Sequence, residues 1–381
     1  MYTEKIRIYP NKTQKKTIDQ ILWNCKELYN YLLDLNIRVY QKTGKSILGY
    51  DLDKPSQQFN KNKLPSIIRK GVLNRLNDAF DRFFNKQCKF RKFKSKKQYK
   101  SFIHNGYKHG FNFDNSHIKI TGIGKIKAVF TRDLLGVPKQ CIIKKMQSGK
   151  YYAFIVLDDK DVEKIKIEGR NSYIAIDLGV SKFLTDQNGN YLSSPRFLRR
   201  NLRKLRRAQR ELSRKQRGSK NRKKARIKVA KLHEKVANTR RDYHFKVAYY
   251  LVTNYNEIFC EDLHTSKMFL GKSQQAKKAR RALYDVALYS FLVVLQQMCE
   301  VYSCKFTKVD PQYTSQICSN CGTIVKKNLS DRIHSCPHCG LSIDRDVNAA
   351  RNILQRGKSL SVGTTGGANT PQLVEISIPG I

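Results

Sequence analysis

Acidic residues are scarce in this 381-residue chain, which has 30 Asp and Glu against 75 Lys and Arg and a formal net charge of +45. So large an excess of one sign would make a compact protein repel itself unless a polyanion neutralised much of it. The sequence has no run of 18 consecutive apolar residues and no signal-peptide core, so we expect neither a membrane span nor secretion. Hydrophobic residues make up 40% of the chain, which is enough for buried cores and excludes a disordered basic tail.

A disulfide framework is also missing. Six of the ten cysteines are scattered, most of them among apolar neighbours, as in a soluble protein of the reducing cytoplasm: Cys25, Cys88, Cys141, Cys260, Cys299 and Cys304. The other four form two Cys-x-x-Cys-Gly knuckles: Cys318 with Cys321, and Cys336 with Cys339. Each glycine lets the backbone turn so that both sulfurs face one ion. This spacing predicts a tetrahedral Zn²⁺ site, with disulfides or buried thiols as the alternative.

The first half of the chain changes from helical to strand patterns. Residues 3–9 alternate like a strand, an apolar helical period runs from Ile18 to Leu32, and a second helix follows Pro65. Short alternating runs from Phe111 to Leu157 then indicate an antiparallel sheet. We expect this sheet to close a small β-barrel with the first strand, leaving residues 11–105 as a helical insertion.

Aromatic residues are interleaved with lysines in residues 89–94 and 97–102. Such mixing suits base stacking beside phosphate contacts, although aromatic residues in a half-buried strand would look the same. Two helices with a narrow apolar seam follow between Leu198 and Val236 and are broken near Gly218. Their outer faces are dense in Arg and Lys, which favours contact with nucleic acid over a solvated basic coiled coil.

Three acidic residues stand at the ends of predicted elements. Asp177 ends an apolar strand that opens a ribonuclease-H-like hairpin, Glu261 ends another short strand, and Asp346 lies near the start of a helix expected over residues 344–355. Such acids could converge stably only around divalent cations, because each pair about 4 Å apart costs up to about 4 kcal/mol at an effective dielectric of 20. Convergence would give a two-Mg²⁺ phosphodiesterase site. Asp344 and Asp262 are rival candidates, and local patterns do not decide between them.

Four segments together resemble the TnpB (OrfB) proteins of bacterial and archaeal insertion sequences, relatives of type V CRISPR effectors. They are residues 174–180 (Ile-Ala-Ile-Asp-Leu-Gly-Val), 259–263 (Phe-Cys-Glu-Asp-Leu), 311–322, which hold the first knuckle, and 344–350 (Asp-Arg-Asp-Val-Asn-Ala-Ala). The N-terminal Arg-Ile-Tyr-Pro at 7–10 and the segment at 93–96 also resemble that family, so the likeness spans nearly the whole chain.

The resemblance implies an RNA-guided DNA endonuclease of a transposable element that cuts target DNA beside a short motif. Its partners would be a guide RNA from the element end and double-stranded target DNA, with no membrane and no obligate protein partner. The family's catalytic, Mg²⁺-binding acids match Asp177, Glu261 and Asp346, and its zinc ligands match the four knuckle cysteines. The departure from the family pattern is the lack of a Trp in the helix after Glu261.

The expected fold is α/β plus β-barrel. A wedge-type β-barrel would comprise residues 1–10 and 106–168, with a helical recognition region at 11–105. A RuvC-like, ribonuclease-H-like nuclease domain would comprise 169–311 and 342–356, with an inserted zinc ribbon at 312–341 and a flexible tail at 357–381. Two alternatives remain at this point: a guided DNA-binding protein without nuclease activity, and a transposase or its accessory factor. No motif singles out a Tyr or Ser nucleophile for the latter.

Overall fold

The computed structural model describes residues 1–60, 64–131, 133–158, 164–263, 273–328, 331–361 and 374–378. The chain divides into two compact units, Met1–Val162 and Glu163–Ile381. Each unit has its own buried apolar core.

The first unit combines a long helical insertion with a sheet. Its elements in chain order are β1 (Tyr2–Tyr9), α1 (Lys12–Thr43), a 3₁₀ turn (Gly49–Leu52), α2 (Asp53–Asn60), α3 (Ser66–Phe84), β2 (Ser101–Asn105), β3 (Phe111–Phe113), β4 (His117–Ile120), β5 (Gly124–Val129), β6 (Val137–Lys145) and β7 (Tyr151–Asp158). The capping box of α1, in which the side chains of Asn11 and Gln14 each accept from the other's backbone N–H, explains why the helix begins directly after β1.

All strand pairs in the first unit are antiparallel, in the order β2-β6-β7-β1-β5-β4-β3. The edge strands β2 and β3 follow one another in the chain and are linked by a bridge between Tyr107 and Phe111, so the sheet is a nearly closed barrel. Residues 101–105, expected in the helical region, belong to this sheet as β2. Their inward-facing Phe102 and His104 are fully buried, which explains the strand.

The second unit is α/β. Its elements are β8 (Asn171–Leu178), β9 (Lys182–Asp186), β10 (Asn190–Ser193), α4 (Phe197–Ser213), α5 (Lys220–Asn254), β11 (Tyr255–Glu261), α6 (Gln274–Val286), α7 (Leu288–Val301), β12 (Lys305–Val309), β13 (Ile333–Ser335), β14 (Ser342–Asp344), α8 (Arg345–Ser361) and β15 (Val374–Glu375). The six-stranded sheet has the order β12-β11-β8-β9-β10-β15. Strand β9 is antiparallel to both of its neighbours, β8 and β10. Strand β11 is parallel to both of its neighbours, β8 and β12.

Two expectations about this unit were wrong. The stretch from Lys272 to Arg281 was expected as a loop, but its described part lies in α6, which Ser273 caps by accepting from the N–H of Ala276. The tail was expected to be flexible from residue 357, but α8 continues to Ser361 and β15 pairs with β10. Tail residues 362–373 and 379–381 lie outside the described part of the chain.

One stretch of the described chain, Ala276–Val301, is long and apolar enough to cross a membrane by length and composition alone. Half of its most apolar window is buried inside the unit. The stretch is two helices rather than one, because Ala287 between α6 and α7 has a φ of 55°. A helix in the core of a globular protein passes the same test of length and composition.

Helix α8 packs against the sheet through a position that only glycine can occupy. A Cβ added at Gly357 would lie 2.1 Å from Cδ1 of the buried Phe259 on β11. We expect Gly357→Ala to lower the free energy of unfolding by about 1–3 kcal/mol through this clash, although alanine alone would favour the helix by about 1 kcal/mol. Thermal unfolding should show a lower Tm, while Ser359→Ala on the exposed face of α8 should change little. A higher Tm for Gly357→Ala would mean that the helix is not seated this closely.

Candidate active site and cysteine cluster

Two of the predicted acids lie side by side at one edge of the six-stranded sheet. The parallel strands β8 and β11 pair Ile176 with Cys260, so the next residues, Asp177 and Glu261, are neighbours where the two strands end. The carboxyl ends of neighbouring parallel strands meet at the same sheet edge, which is why residues 84 positions apart come together. Both apolar runs before these acids are buried, as strands covered on two faces require.

The third predicted acid reaches the same place from a helix. Asp346 is in the first turn of α8, which packs on β8. Asp177, Glu261 and Asp346 all line one open cavity of about 1250 Å³. The structure therefore brings all three predicted acids to a single cavity.

The rival acids have other roles. Asp344 precedes α8, where its Oδ1 accepts from the backbone N–H of Asp346 at 2.9 Å and its Oδ2 accepts from Nζ of Lys182 at 2.9 Å. Asp262 is half exposed and lies 3.5 Å from Nζ of Lys308. Neither side chain is among those lining the cavity.

Two of the three acids, Asp177 and Glu261, have raised pKa values, and burial is the largest cause in both. The pKa of Asp177 is held well above its usual range, first by burial and then by the charges of Glu261 and Asp346. Burial also raises the pKa of Glu261, while a hydrogen bond donated by the Thr314 hydroxyl opposes that shift. Such carboxyls repel one another as anions, and a cation placed among them would remove that penalty.

Cations share the cavity with the acids, and most of them were not predicted from the sequence. Nζ of Lys182 is 3.8 Å from Oδ2 of Asp346, and Nη2 of Arg345 is 3.5 Å from Oδ1 of the same carboxylate. Among the residues that the structure describes, the cavity-lining cations are Lys182, Arg196, Arg199, Lys278, Arg281, Arg332 and Arg345. Carboxylates beside an excess of cations suit an anionic substrate better than a neutral one.

The four knuckle cysteines form a second cluster in this unit. The sulfur pairs Cys318–Cys339 and Cys321–Cys336 are each 3.6 Å apart, and all four sulfurs lie within 4.8 Å of one another. A disulfide would need about 2.05 Å. Four sulfurs around Zn²⁺ at about 2.3 Å would lie about 3.8 Å apart, which is the spacing of this cluster.

The knuckle backbone presents the sulfurs as the sequence predicts. Gly322 and Gly340 adopt φ values of 77° and 74°, a region open to glycine without strain. The N–H of Gly322 donates to the carbonyl of Cys318, and the N–H of Gly340 donates to that of Cys336. The other six cysteines are apart from this cluster; all but the half-buried Cys88 are buried.

Helix α8 joins the cysteine cluster to the acids. Three of its polar side chains bond to the segment around the first knuckle: Asn348 and Asn352 donate to the carbonyl of Ile317, and Gln355 donates to that of Ser319. Asn348 and Asn352 are buried. Amide side chains spaced by four and three, next to the apolar Val347, Ala350 and Ile353, are the signal by which the sequence could have revealed this connection.

The chain is 31% identical over 321 residues to "Putative RNA-guided DNA endonuclease InsQ" of Escherichia coli (strain K12), a match covering 81% of this chain and 76% of that protein. The chain belongs to the TnpB (OrfB) family of insertion-sequence proteins. A "Putative RNA-guided DNA endonuclease" of Streptomyces pristinaespiralis is 26% identical over 369 residues, covering 94% of this chain and 89% of that protein.

Three family models match separate parts of this TnpB-family chain. The OrfB_IS605 model, described as "Probable transposase", matches residues 159–271, and the "Cas12f1-like, TNB domain" model matches 289–353, which contain the cysteine cluster. The OrfB_IS605 "Helix-turn-helix domain" model matches 3–45, where the structure has β1 and the single helix α1. A solved Cas12f1–sgRNA–target DNA complex aligns with a TM-score of 0.58 at 16% identity, covering 89% of this chain and 82% of that chain, which shows the same fold.

The raised pKa values of the acids predict how pH and Mg²⁺ act on stability. Because Asp177 and Glu261 have higher pKa values when folded than when unfolded, the free energy of unfolding falls as the pH rises from about 4 through the raised values. We expect Mg²⁺ to raise Tm more near pH 8 than near pH 5, since it replaces the lost protons. Scanning calorimetry should also show a weaker Mg²⁺ response in Asp177→Asn than in Asp262→Asn. Equal Mg²⁺ shifts in both variants would contradict binding at these acids.

Proposed function

We propose that the chain is an RNA-guided DNA endonuclease of a transposable element, which cuts target DNA beside a short motif by two-metal, RuvC-type phosphodiester hydrolysis. The observation that carries this proposal is the meeting of Asp177, Glu261 and Asp346 in one cation-lined cavity, in a chain of the TnpB family. Homologues named as RNA-guided DNA endonucleases support the guided nuclease role.

The strand order supports a ribonuclease-H-like nuclease domain. An antiparallel series β8, β9 and β10 is extended on the other side of β8 by the parallel strands β11 and β12. This order puts the ends of β8 and β11 at one sheet edge, and α8 packs across β8 with its first turn toward the same cavity. Such an arrangement gives three separated sequence segments one common site.

The acids fit divalent magnesium. Three carboxylates supply the hard oxygen ligands that Mg²⁺ prefers. Burial and the charges of Glu261 and Asp346 raise the pKa of Asp177, and a cation bound among these carboxylates would favour its anionic form. When bound, Mg²⁺ would supply a Lewis acid for the phosphodiester and lower the pKa of a bound water. Asp177, Glu261 and Asp346 would hold the ions.

The other cavity residues would position the DNA strand. Thr314 donates a hydrogen bond to Glu261 and so holds that carboxylate toward the cavity. Arg196 and Arg199 at the start of α4, together with Lys278 and Arg281 on α6, offer cationic donors to phosphate oxygens. Lys182 pairs with Asp344 and lies near Asp346, which limits the charge at the start of α8.

The basic helical pair offers a surface for guide RNA and target DNA. In α4, seven of 17 residues are Arg or Lys, and its one acid, Glu211, pairs with Lys228 at 2.9 Å. Open grooves along α4 and α5 of about 850 and 1000 Å³ are lined mostly by cations. A duplex backbone would neutralise this surface by releasing counterions from its phosphates. The scattered buried cysteines fit a reducing, cytoplasmic location.

Cleavage beside a randomised flank tests the proposed function. The chain is copurified with its bound RNA, the RNA is sequenced, and a plasmid library carrying the matching target beside random flanks is exposed to the complex with Mg²⁺. We expect depletion of plasmids with one flanking motif, with no depletion in EDTA. The expected motif is read from the lost plasmids.

Other results of this experiment would indicate a different function. Copurification of a specific RNA with target binding but no cleavage would identify a guided DNA-binding protein. A covalent protein–DNA adduct on element ends would identify a transposase. Absence of any bound RNA, with binding to all sequences alike, would overturn guidance itself.

A further inference from the structure

A patch of exposed phenylalanine rings stands at the end of α3 in the first unit. Phe84 and Phe90 are 53% and 46% exposed, yet both rings pack against other side chains. Both rings rest on Phe80, which is buried, at centroid distances of 6.1 and 6.0 Å. Phe83 contacts both as well, at 5.5 and 5.3 Å. Phe83, Phe84 and Phe90 are called the phenylalanine patch below.

The segment that carries Phe90 is held in place despite having no regular secondary structure. Nε of Arg91 donates to the carbonyl of Ala79 on α3 at 2.9 Å. The side chain of Asn30 on α1 bonds to Lys94 twice, donating to its carbonyl at 2.9 Å and accepting from its N–H at 2.7 Å. Because this segment is bonded to both α1 and α3, the Phe90 ring should lose little conformational entropy when a ligand binds it.

Cations outnumber acids along the chain around the patch, where the nearest acid, Asp81, lies on α3 three residues before Phe84. Residues 82–113 include no Asp or Glu and contain ten cations: Arg82, Lys86, Lys89, Arg91, Lys92, Lys94, Lys96, Lys97, Lys100 and Lys108. Among these, Lys86, Lys89 and Lys92 are exposed next to the patch in sequence. Exposed aromatic faces beside unpaired positive charge match a ligand that has flat apolar groups on an anionic backbone.

We propose that the phenylalanine patch is a stacking platform for unpaired nucleobases of a single-stranded nucleic acid, whose phosphates are bound by the surrounding lysines. A second copy of the chain is disfavoured as the occupant, because it would bring the same acid-free basic segment against itself. A base-paired duplex is also disfavoured, since its base faces are already stacked. The proposal rests on the chain binding nucleic acid, and it does not require that the chain cuts DNA.

Binding of two matched oligonucleotides to the full chain tests the platform. One is a single strand with 2-aminopurine at its centre, whose fluorescence falls on stacking, and the other has the same length of abasic backbone. We expect Phe84→Leu/Phe90→Leu to weaken binding of the base-containing strand about tenfold or more and to remove the quenching. Binding of the abasic strand and the slope of affinity against salt should be unchanged.

Two further variants separate base stacking from charge and from general damage. Lys92→Gln should weaken both oligonucleotides alike and reduce the salt slope by about 0.7. Tyr40→Leu, an exposed aromatic on α1 outside the patch, should change neither oligonucleotide, and a matching Tm should show that the double variant is folded. The single variant Phe84→Leu gives the same comparison if the double variant is unstable.

Three results would overturn the platform. The double variant could lose equal affinity for both oligonucleotides, it could lose none, or it could convert a wild-type dimer into monomers in sedimentation velocity with oligonucleotide binding unchanged. All measurements omit Mg²⁺ and guide RNA, so a chain that stacks bases but never cleaves a target would refute only the proposed function.

Discussion

Asp177→Asn is expected to reduce cleavage of a guided target at least about 10³-fold while leaving target binding nearly unchanged. The substitution keeps the shape of the side chain and removes one charge from the ligands that would hold the metal, and transition-state stabilisation by such ions is worth several kcal/mol. Binding of the target DNA should persist because Asp177 does not line the basic grooves along α4 and α5. Single-turnover cleavage and filter binding of the same complex measure the two effects.

The neighbouring acid Asp262 provides the control. It directly follows Glu261 in the chain but is half exposed and does not line the cavity. Asp262→Asn should therefore cut at nearly the wild-type rate, whereas Glu261→Gln should resemble Asp177→Asn. Equal activity of Asp177→Asn and wild type would remove the cavity from the catalytic mechanism, and loss of binding in both cavity variants would make the acids structural.

Much of this site could be predicted because two of its acids follow short apolar runs, a pattern that is visible in the sequence. Apolar runs that end in an acid identify Asp177 and Glu261, because the buried strand and the polar edge are both local properties of sequence. The choice between Asp346 and Asp344 is not local. It depends on the cap that Asp344 forms for α8 and on its pairing with Lys182 from a distant hairpin. Only the resemblance to a known family could favour Asp346 beforehand.

Strand β2, helix α6 and strand β15 were not predicted because their sequences lack the usual alternation or period of apolar residues. In β2 the inward-facing His104 is fully buried, and burial lowers its pKa to about 4, yet a histidine at that position reads as polar in the sequence. In α6 the dense cations conceal a helix that packs near its end through Leu283 and Val286. Strand β15 has two residues and depends on pairing with β10, so no local pattern could predict it.

Cys318→Ser is expected to abolish zinc binding and, with it, nuclease activity. Zinc measured by metal analysis should fall from one ion per wild-type chain to none, since three thiols retain the ion poorly against a chelator. Hydrogen bonds with Thr323 lower the pKa of Cys321 to about 5, whereas burial raises the pKa of Cys318 to about 12. Zinc binding by all four thiolates therefore requires deprotonation of Cys318.

The loss should extend from the cluster to the acids because α8 connects them. Without the ion, the first knuckle would loosen, and Asn348, Asn352 and Gln355 would lose the backbone carbonyls that they bond. Asp346 stands at the start of the same helix, so its position in the cavity depends on that anchorage. Hydrogen exchange should rise across α8 in Cys318→Ser, while Cys88→Ser, outside the cluster, should keep its zinc and its exchange pattern. Zinc retained at one ion per chain in Cys318→Ser would refute the four-sulfur site, and zinc loss with α8 still protected would separate the cluster from the position of Asp346.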